Sequence, residues 1–240
     1  MRQVGTQAFD LEAFQAGIGL AFCDPTLLQQ ALTHRSLVNE YADLGLADNQ
    51  RLEFLGDAIL GFLVGEWLYA RYPDVREGEL TSLRAHVVRT EGLASFAGEI
   101  ELGSYLRLGR GEAASGGAMR SANLCDGFEA LVGAIYLDQG LDVARVWVRA
   151  FLEGHAPEID QQRKSKDAKT QLQEYTQGQL HVTPSYRIAR EEGPDHAKVF
   201  TSQVLVDQDV WGEGIGPSKQ TAEQAAAEAA LKVMRQKRNP

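Results

Sequence analysis

The order of apolar and polar residues changes character about two-thirds of the way along the chain. Up to residue 153, apolar positions recur at three- and four-residue intervals. They do so in LEAFQAGIGL (11–20), DPTLLQQALTHRS (24–36), QRLEFLGDAILGFLVGEWLYARY (50–72), REGELTSLRAHVVRTEGLASFAGEI (76–100), SANLCDGFEALVGAIYL (121–137) and DVARVWVRAFLEG (142–154). That is the period of amphipathic helices, and no alternating strand interrupts it. Asp24-Pro25 supplies an N-cap and a first-turn proline for one of them, whereas GRGEAASGGAMR (109–120) has the glycine and polar content of a loop. HAPEIDQQRKSKD (155–167) is polar throughout and reads as a linker. Beyond it the pattern predicts a helix over 168–178, three alternating runs (PSYRIAREE, KVFTSQVLVD and DVWGEGIG) and an alanine-rich helix from Ser218 to about Arg235. An α-β-β-β-α order in so short a segment is a small sheet backed by two helices, so the chain has two domains.

Two helices of the first part carry charge where burial leaves little room for it. LEFLGDAILGFLV (52–64) is apolar on nearly every side, the mark of a buried helix, yet holds Glu53 and Asp57 four residues apart on one face. Gln50 lies on that stripe one turn earlier and Gly61 one turn later. LCDGFEALVGAIYL (124–137) likewise holds Asp126 and Glu129, on a stripe shared with Ala122, Ala130 and Gly133. Solvent-facing acids are the plainer reading, but neighbours this apolar leave them little polar surface. Buried carboxylates are rare unless paired, and leaving one unpaired costs free energy. Residues 1–163 contain no lysine, which leaves Arg51 and Arg84 as candidate partners. Four carboxylates converging from two helices repel unless a cation sits among them, and an all-oxygen ligand set suits Mg2+ or Mn2+. Such a centre can activate water against a phosphodiester. Gly61 and Gly133 are expected to be small so that the two acidic helices can approach.

Charge and cysteine content refine this. Residues 1–165 hold 14 basic and 23 acidic side chains, whereas the rest hold ten of each, so the net charge of −9 sits entirely in the front part. Bulk charge therefore speaks against nucleic acid, and any such binding must rest on individually placed residues. Cys23 and Cys125 have no CxxC spacing and no nearby histidine, and are expected to be two buried thiols in a reducing cytoplasm. No apolar run reaches membrane-spanning length, and the first residues lack the basic-then-apolar order of a secretory signal.

At these residues the chain resembles the ribonuclease III family. RLEFLGD (51–57) is similar to the family signature, and CDGFEALVGAIYLD (125–138) to its second acidic helix; ALTHRS (31–36), LTSLRAHVV (80–88) and LGRGE…GG (108–117) also match. The tail resembles a double-stranded-RNA-binding domain through KTQLQEYTQ (169–177), Pro184-Ser185-Tyr186, Gly193-Pro194…His196 and SKQTAEQAAAEAAL (218–231). The resemblance implies an all-α catalytic domain over 9–154, a linker over 155–166 and a small α+β RNA-binding domain over 167–236. It implies a cytoplasmic homodimer that cuts both strands of double-stranded RNA, leaves 5′-phosphates and short 3′ overhangs, and processes ribosomal and other precursor RNAs. No membrane and no organic cofactor are implied. Glu53, Asp57, Asp126 and Glu129 become the Mg2+ cluster, replaceable by Mn2+, with Asp57 and Glu129 the pair on which hydrolysis most depends. Phe54 becomes the aromatic that plugs into the partner subunit, the alternative being a core residue of its own chain.

The tail is expected to read a duplex by shape, because A-form RNA hides its base edges. Gln173, Glu174, Gln177 and His196 are the expected 2′-hydroxyl contacts, with Lys219 and the helix end capped by Ser218 meeting phosphates. Two departures from the family stand out. Gln50 replaces a glutamate before RLEFLGD, which makes it an outer-shell group here, and Gln220 and Asp195 stand where basic or histidine side chains occur in relatives. All four carboxylates are present, which favours an active endoribonuclease over a catalytically weak RNA-binding protein. A DNA nuclease is disfavoured because the tail's contacts need 2′-hydroxyls.

Overall fold

Helices begin where the sequence supplies both a cap and an apolar stripe. In the computed structural model, which describes residues 10–193 and 198–238, α1 (Leu11–Ile18) starts at Asp10 and buries Phe14 and Ile18. α2 (Pro25–Ala31) starts at Asp24, whose carboxylate accepts the Thr26 N–H at 2.9 Å, with Pro25 in the first turn as predicted. α3 (Arg35–Glu40) leads to α4 (Gln50–Arg71), the signature helix. The run at 76–100 divides into α5 (Glu77–Val87) and α6 (Thr90–Glu99). After α7 (Leu102–Tyr105), the glycine-rich stretch expected as a loop holds the short α8 (Arg110–Ala114). α9 (Ser121–Gly154) covers both remaining apolar runs and is broken at Gly140, whose φ of 82° lies in the left-handed region.

α4 and α9 form the principal packing pair of this unit. An aromatic cluster of Phe96, Phe128, Trp147 and Phe151 fills the space between α6 and α9. Trp147 Nε1 donates to the Ile18 carbonyl at 3.0 Å, and Asp138 accepts the N–H groups of Cys23 and Asp24 at 2.8 Å each. The second contact corrects one expectation. Cys23 sits in a segment held by its backbone, so its thiol is exposed, whereas Cys125 is buried.

The chain divides into two compact units between Ala156 and Pro157. The polar stretch read as a linker is helical from Ala156 and runs directly into the predicted helix, giving α10 (Ala156–Tyr175) with a final π-turn over Thr176–Leu180. The stretch lacks glycine and its proline falls in the first turn, where it costs no hydrogen bond. Then come β1 (Ser185–Glu192), β2 (Val199–Val206) and β3 (Asp209–Gly216), an antiparallel meander, and α11 (Lys219–Arg238). Leu172 of α10, Val204 of β2 and Ala226, Ala227 and Ala230 of α11 form the core of this unit. The alanines of α11 let it lie directly on β3: a Cβ on Gly214 would stand 2.1 Å from the Ala226 nitrogen. The predicted α-β-β-β-α unit is therefore present, after an all-helical first unit.

Candidate functional site

The two acidic helices meet backbone to backbone. A Cβ on Gly56 would lie 1.8 Å from the Glu129 carbonyl oxygen, and one on Gly133 would lie 2.3 Å from that of Leu52. Gly133 has the expected role. Gly61 does not: a Cβ there meets nothing within 4 Å. The acids occupy the rim of the contact face rather than its centre, so the glycine that admits α9 is the residue just before Asp57. Leu52, Gly56, Leu60 and Leu63 are buried, Glu53 is half-buried and Asp57 is exposed. Across the contact Asp126 and Glu129 are half-buried.

The four carboxyls feel one another. Burial, then the charges of Asp57, Glu53 and Asp126, push the Glu129 carboxyl up to about 7. Burial followed by Asp126 raises Glu53, and burial raises Asp126. Arg35 opposes both latter shifts, so the arginine acting on the cluster comes from α3 and not from Arg51 or Arg84; Arg84 lies instead against Gly65. Hard oxygen donors held against repulsion in a partly desolvated site are the donor set of Mg2+ or Mn2+.

Several neighbours escaped the sequence reading. Thr33 and Arg107 form a parallel bridge, the Ser36 hydroxyl accepts the Gly109 N–H at 2.9 Å, and Glu40 accepts that of Arg110 at 2.6 Å. The ALTHRS and LGRGE segments thus hold each other and bring His34 and Arg35 to the acids. Glu112 accepts from Arg120 and from Asn123 Nδ2, tying the glycine-rich stretch to the start of α9. The Cys125 thiol donates to Glu129 Oε1 at 3.8 Å, and burial among the carboxylates pushes it up to about 12.

The raised Glu129 carboxyl has a measurable consequence without metal. A carboxyl whose pKa rises on folding gives its full stabilising contribution below the unfolded value of 4.5 and loses it as pH climbs through about 7. In chelator, Glu129→Gln is therefore expected to melt near the parent at pH 4.5 and increasingly above it toward pH 8. A gap independent of pH, or a variant that melts below the parent at pH 8, would overturn this electrostatic account.

The other expected residues fall as follows. Gln50 is exposed at the start of α4, its N–H donating to Asp48 Oδ1 at 3.2 Å. Phe54 is 81% exposed, which excludes a place in the core of its own chain, and Phe62 and Tyr69 are exposed on the same helix. Gln173, Glu174 and Gln177 are exposed on α10 and its π-turn, with Gln177 Nε2 donating to Thr183 Oγ1 at 3.2 Å. The Ser218 hydroxyl accepts the Thr221 N–H at 3.2 Å and caps α11. The Lys219 ammonium is 3.0 Å from Glu191, a surface ion pair of small worth. His196 and Asp195 lie outside the described residues.

Residues 24–154 match the family model described as Ribonuclease-III-like, and residues 168–234 match the double-stranded RNA binding motif. Ribonuclease 3 of Enterococcus faecalis is 47% identical over 216 residues, 89% of this chain and 93% of the relative. That of Thermobifida fusca is 45% identical over 234 residues, 97% of this chain and 96% of the relative. The crystal structure of the nuclease domain of ribonuclease III from Campylobacter jejuni superimposes with a TM-score of 0.56 at 34% identity, spanning 62% of this chain and 97% of that one. Given a family model over more than half of its residues and relatives of this identity over nearly all of them, the chain belongs to the ribonuclease III family.

Proposed function

We propose that the protein is a cytoplasmic, Mg2+-dependent endoribonuclease that hydrolyses both strands of double-stranded RNA, including ribosomal and other precursor RNAs, to 5′-phosphate ends with short 3′ overhangs. The observation that carries this reading is the meeting of α4 and α9 backbone to backbone beside Glu53, Asp57, Asp126 and Glu129, where burial and the three other acids raise the Glu129 carboxyl to about 7. Glu53, Asp57, Asp126 and Glu129 hold Mg2+ or Mn2+. The bound ion supplies Lewis-acid polarisation of the phosphate and a water of lowered pKa. Asp57 and Glu129 are the two whose charge matters most, one from each helix. The catalytic domain spans 9–154, the RNA-binding domain 167–236, and 155–166 joins them.

The exposed apolar stripe of Phe54, Phe62 and Tyr69 on α4 fits a second copy of the chain, with Phe54 as its anchor. A related Campylobacter jejuni structure is described by a flexible region involved in dimer formation of its nuclease domain, which supports the same assembly here. Gln173, Glu174, Gln177 and His196 contact 2′-hydroxyls, and Ser218 and Lys219 contact phosphate. The deciding experiment incubates the full chain with a long RNA duplex, with Mg2+ and with chelator. Staggered cleavage in Mg2+ alone is expected, and an intact duplex under both conditions would refute the reading.

Gln50 is an outer-shell group that orients water or RNA, since its amide offers an oxygen but no charge. Gln50→Ala is therefore expected to lower the cleavage rate by roughly 10–100-fold, less than Asp57→Ala. Gln50→Glu adds a negative charge and is expected to lower the Mg2+ concentration needed for half-maximal rate. If Gln50→Ala is as inactive as Asp57→Ala, Gln50 is a direct ligand.

A further inference from the structure

We propose that Cys125, Asp126 and Glu129 together form a site for a thiophilic divalent cation such as Zn2+, overlapping the carboxylate centre. Cys125 precedes Glu129 by one helical turn, so both side chains leave α9 on the same side. The thiol is 7% exposed, is not in a disulfide, and points at Glu129 Oε1 from 3.8 Å. One ligand atom from each of Cys125, Asp126 and Glu129 lies within 4.8 Å of the others. In a tetrahedral zinc site, bonds of about 2.3 Å to sulfur and about 2.1 Å to oxygen place ligand atoms roughly 3.5 Å apart. Small side-chain rotations close that difference without moving the helix.

The donor types decide which ion is favoured. Carboxylates alone suit Mg2+, whereas a thiolate shifts preference strongly toward Zn2+ and its softer relatives. On ligation the S–H bond breaks, a sulfur–metal bond forms and the proton leaves to solvent. Because Asp126 and Glu129 serve both ions, the soft cation excludes the hard one, and the enzyme is switched off by exchange. The ligand set stands independently of the nuclease reading; the inhibition rests on it.

The test uses the full chain with Cys23→Ser, which removes the exposed thiol and leaves Cys125 as the only one. Titration with Cd2+ or Co2+ is expected to produce thiolate-to-metal charge-transfer absorption at one ion per chain. Cys125→Ala and Cys125→Ser, each confirmed as folded by its melting curve, are expected to lose it. Zn2+ is expected to inhibit Mg2+-supported duplex cleavage in the Cys23→Ser chain, and roughly 10–100-fold more Zn2+ is needed for half-inhibition once Cys125 is replaced. Absence of the thiolate band, or its persistence in both Cys125 variants, overturns the proposal, as does equal Zn2+ sensitivity. A thiolate band in a chain that cuts no RNA in Mg2+ supports the site and counts against the nuclease reading instead.

Discussion

Glu129→Gln is expected to slow duplex cleavage in Mg2+ by at least ~10²-fold while leaving duplex binding unchanged. Glutamine keeps the size of the side chain and an oxygen donor but removes one of four charges from the cluster. Glu129 is the carboxyl on which burial and the other three acids act most strongly, so its charge is both the hardest to hold and the one a cation gains most from neutralising. Two measurements should therefore move in opposite senses. Without metal at pH 8 the variant should melt above the parent, because an ionised group among like charges is gone. At the same Mg2+ concentration the parent should gain more stability than the variant, because binding to the folded state stabilises it by an amount that rises with the logarithm of affinity. RNA binding should persist, since it rests on the second unit. Parallel loss of cleavage and duplex binding would make Glu129 structural and dissolve the assigned centre.

The acids themselves were legible because charge is costly on an apolar helix, and Glu53, Asp57, Asp126 and Glu129 stand out against their neighbours at helical spacing. The three alternating runs and the alanine-rich helix announced the second unit for the same reason: their periods differ from everything before them. Periodicity, however, places a residue on a stripe without saying what that stripe touches. Gly61 and Gly56 are both small residues on α4, and only the packing against α9 shows that Gly56 meets it. Cys125 is buried as expected, and its place beside Glu129 follows from their four-residue spacing on α9, but only the packed structure shows its thiol directed at the Glu129 carboxylate.

Longer-range placement was beyond the pattern. His34 and Arg35 reach the cluster through the bridge between Thr33 and Arg107, whose sequence separation leaves no local trace. Lys219 was readable as a phosphate contact, yet its pairing with Glu191 joins β1 to α11 and depends on the folded sheet. The helicity of 155–166 was hidden for another reason: Ala156 and Ile159 are its buried apolar residues, too short a stripe to detect in an otherwise polar stretch. Phe54 shows the opposite limit. A helix apolar all round predicts burial on every side, but part of its apolar surface, Phe54, Phe62 and Tyr69, faces out of this chain.

Gly56→Ala is expected to be among the most destabilising single substitutions in the first unit, at about 3 kcal/mol or more. The added methyl would stand 1.8 Å from the carbonyl oxygen of Glu129 and 2.5 Å from its carbonyl carbon. Both are backbone atoms of the middle of α9, so no flexible side chain can swing aside, and relief requires α4 and α9 to separate. Those helices form the principal packing pair of the unit, so separation loosens the buried apolar residues on both. For a domain of this size the loss corresponds to a fall in melting temperature of roughly 6–12 °C. Separation also pulls Glu53 and Asp57 away from Asp126 and Glu129, so the Mg2+-dependent gain in melting temperature should shrink even in the molecules that remain folded. Gly61→Ala is the matched control on the same helix. Its methyl meets nothing within 4 Å, and alanine is the better helix former by about 1 kcal/mol, so its melting temperature should not fall. Equal melting of the two variants, or a Gly56→Ala protein that keeps the parent's full response to Mg2+, would mean that the contact between Gly56 and Glu129 does not set the spacing of the acidic helices.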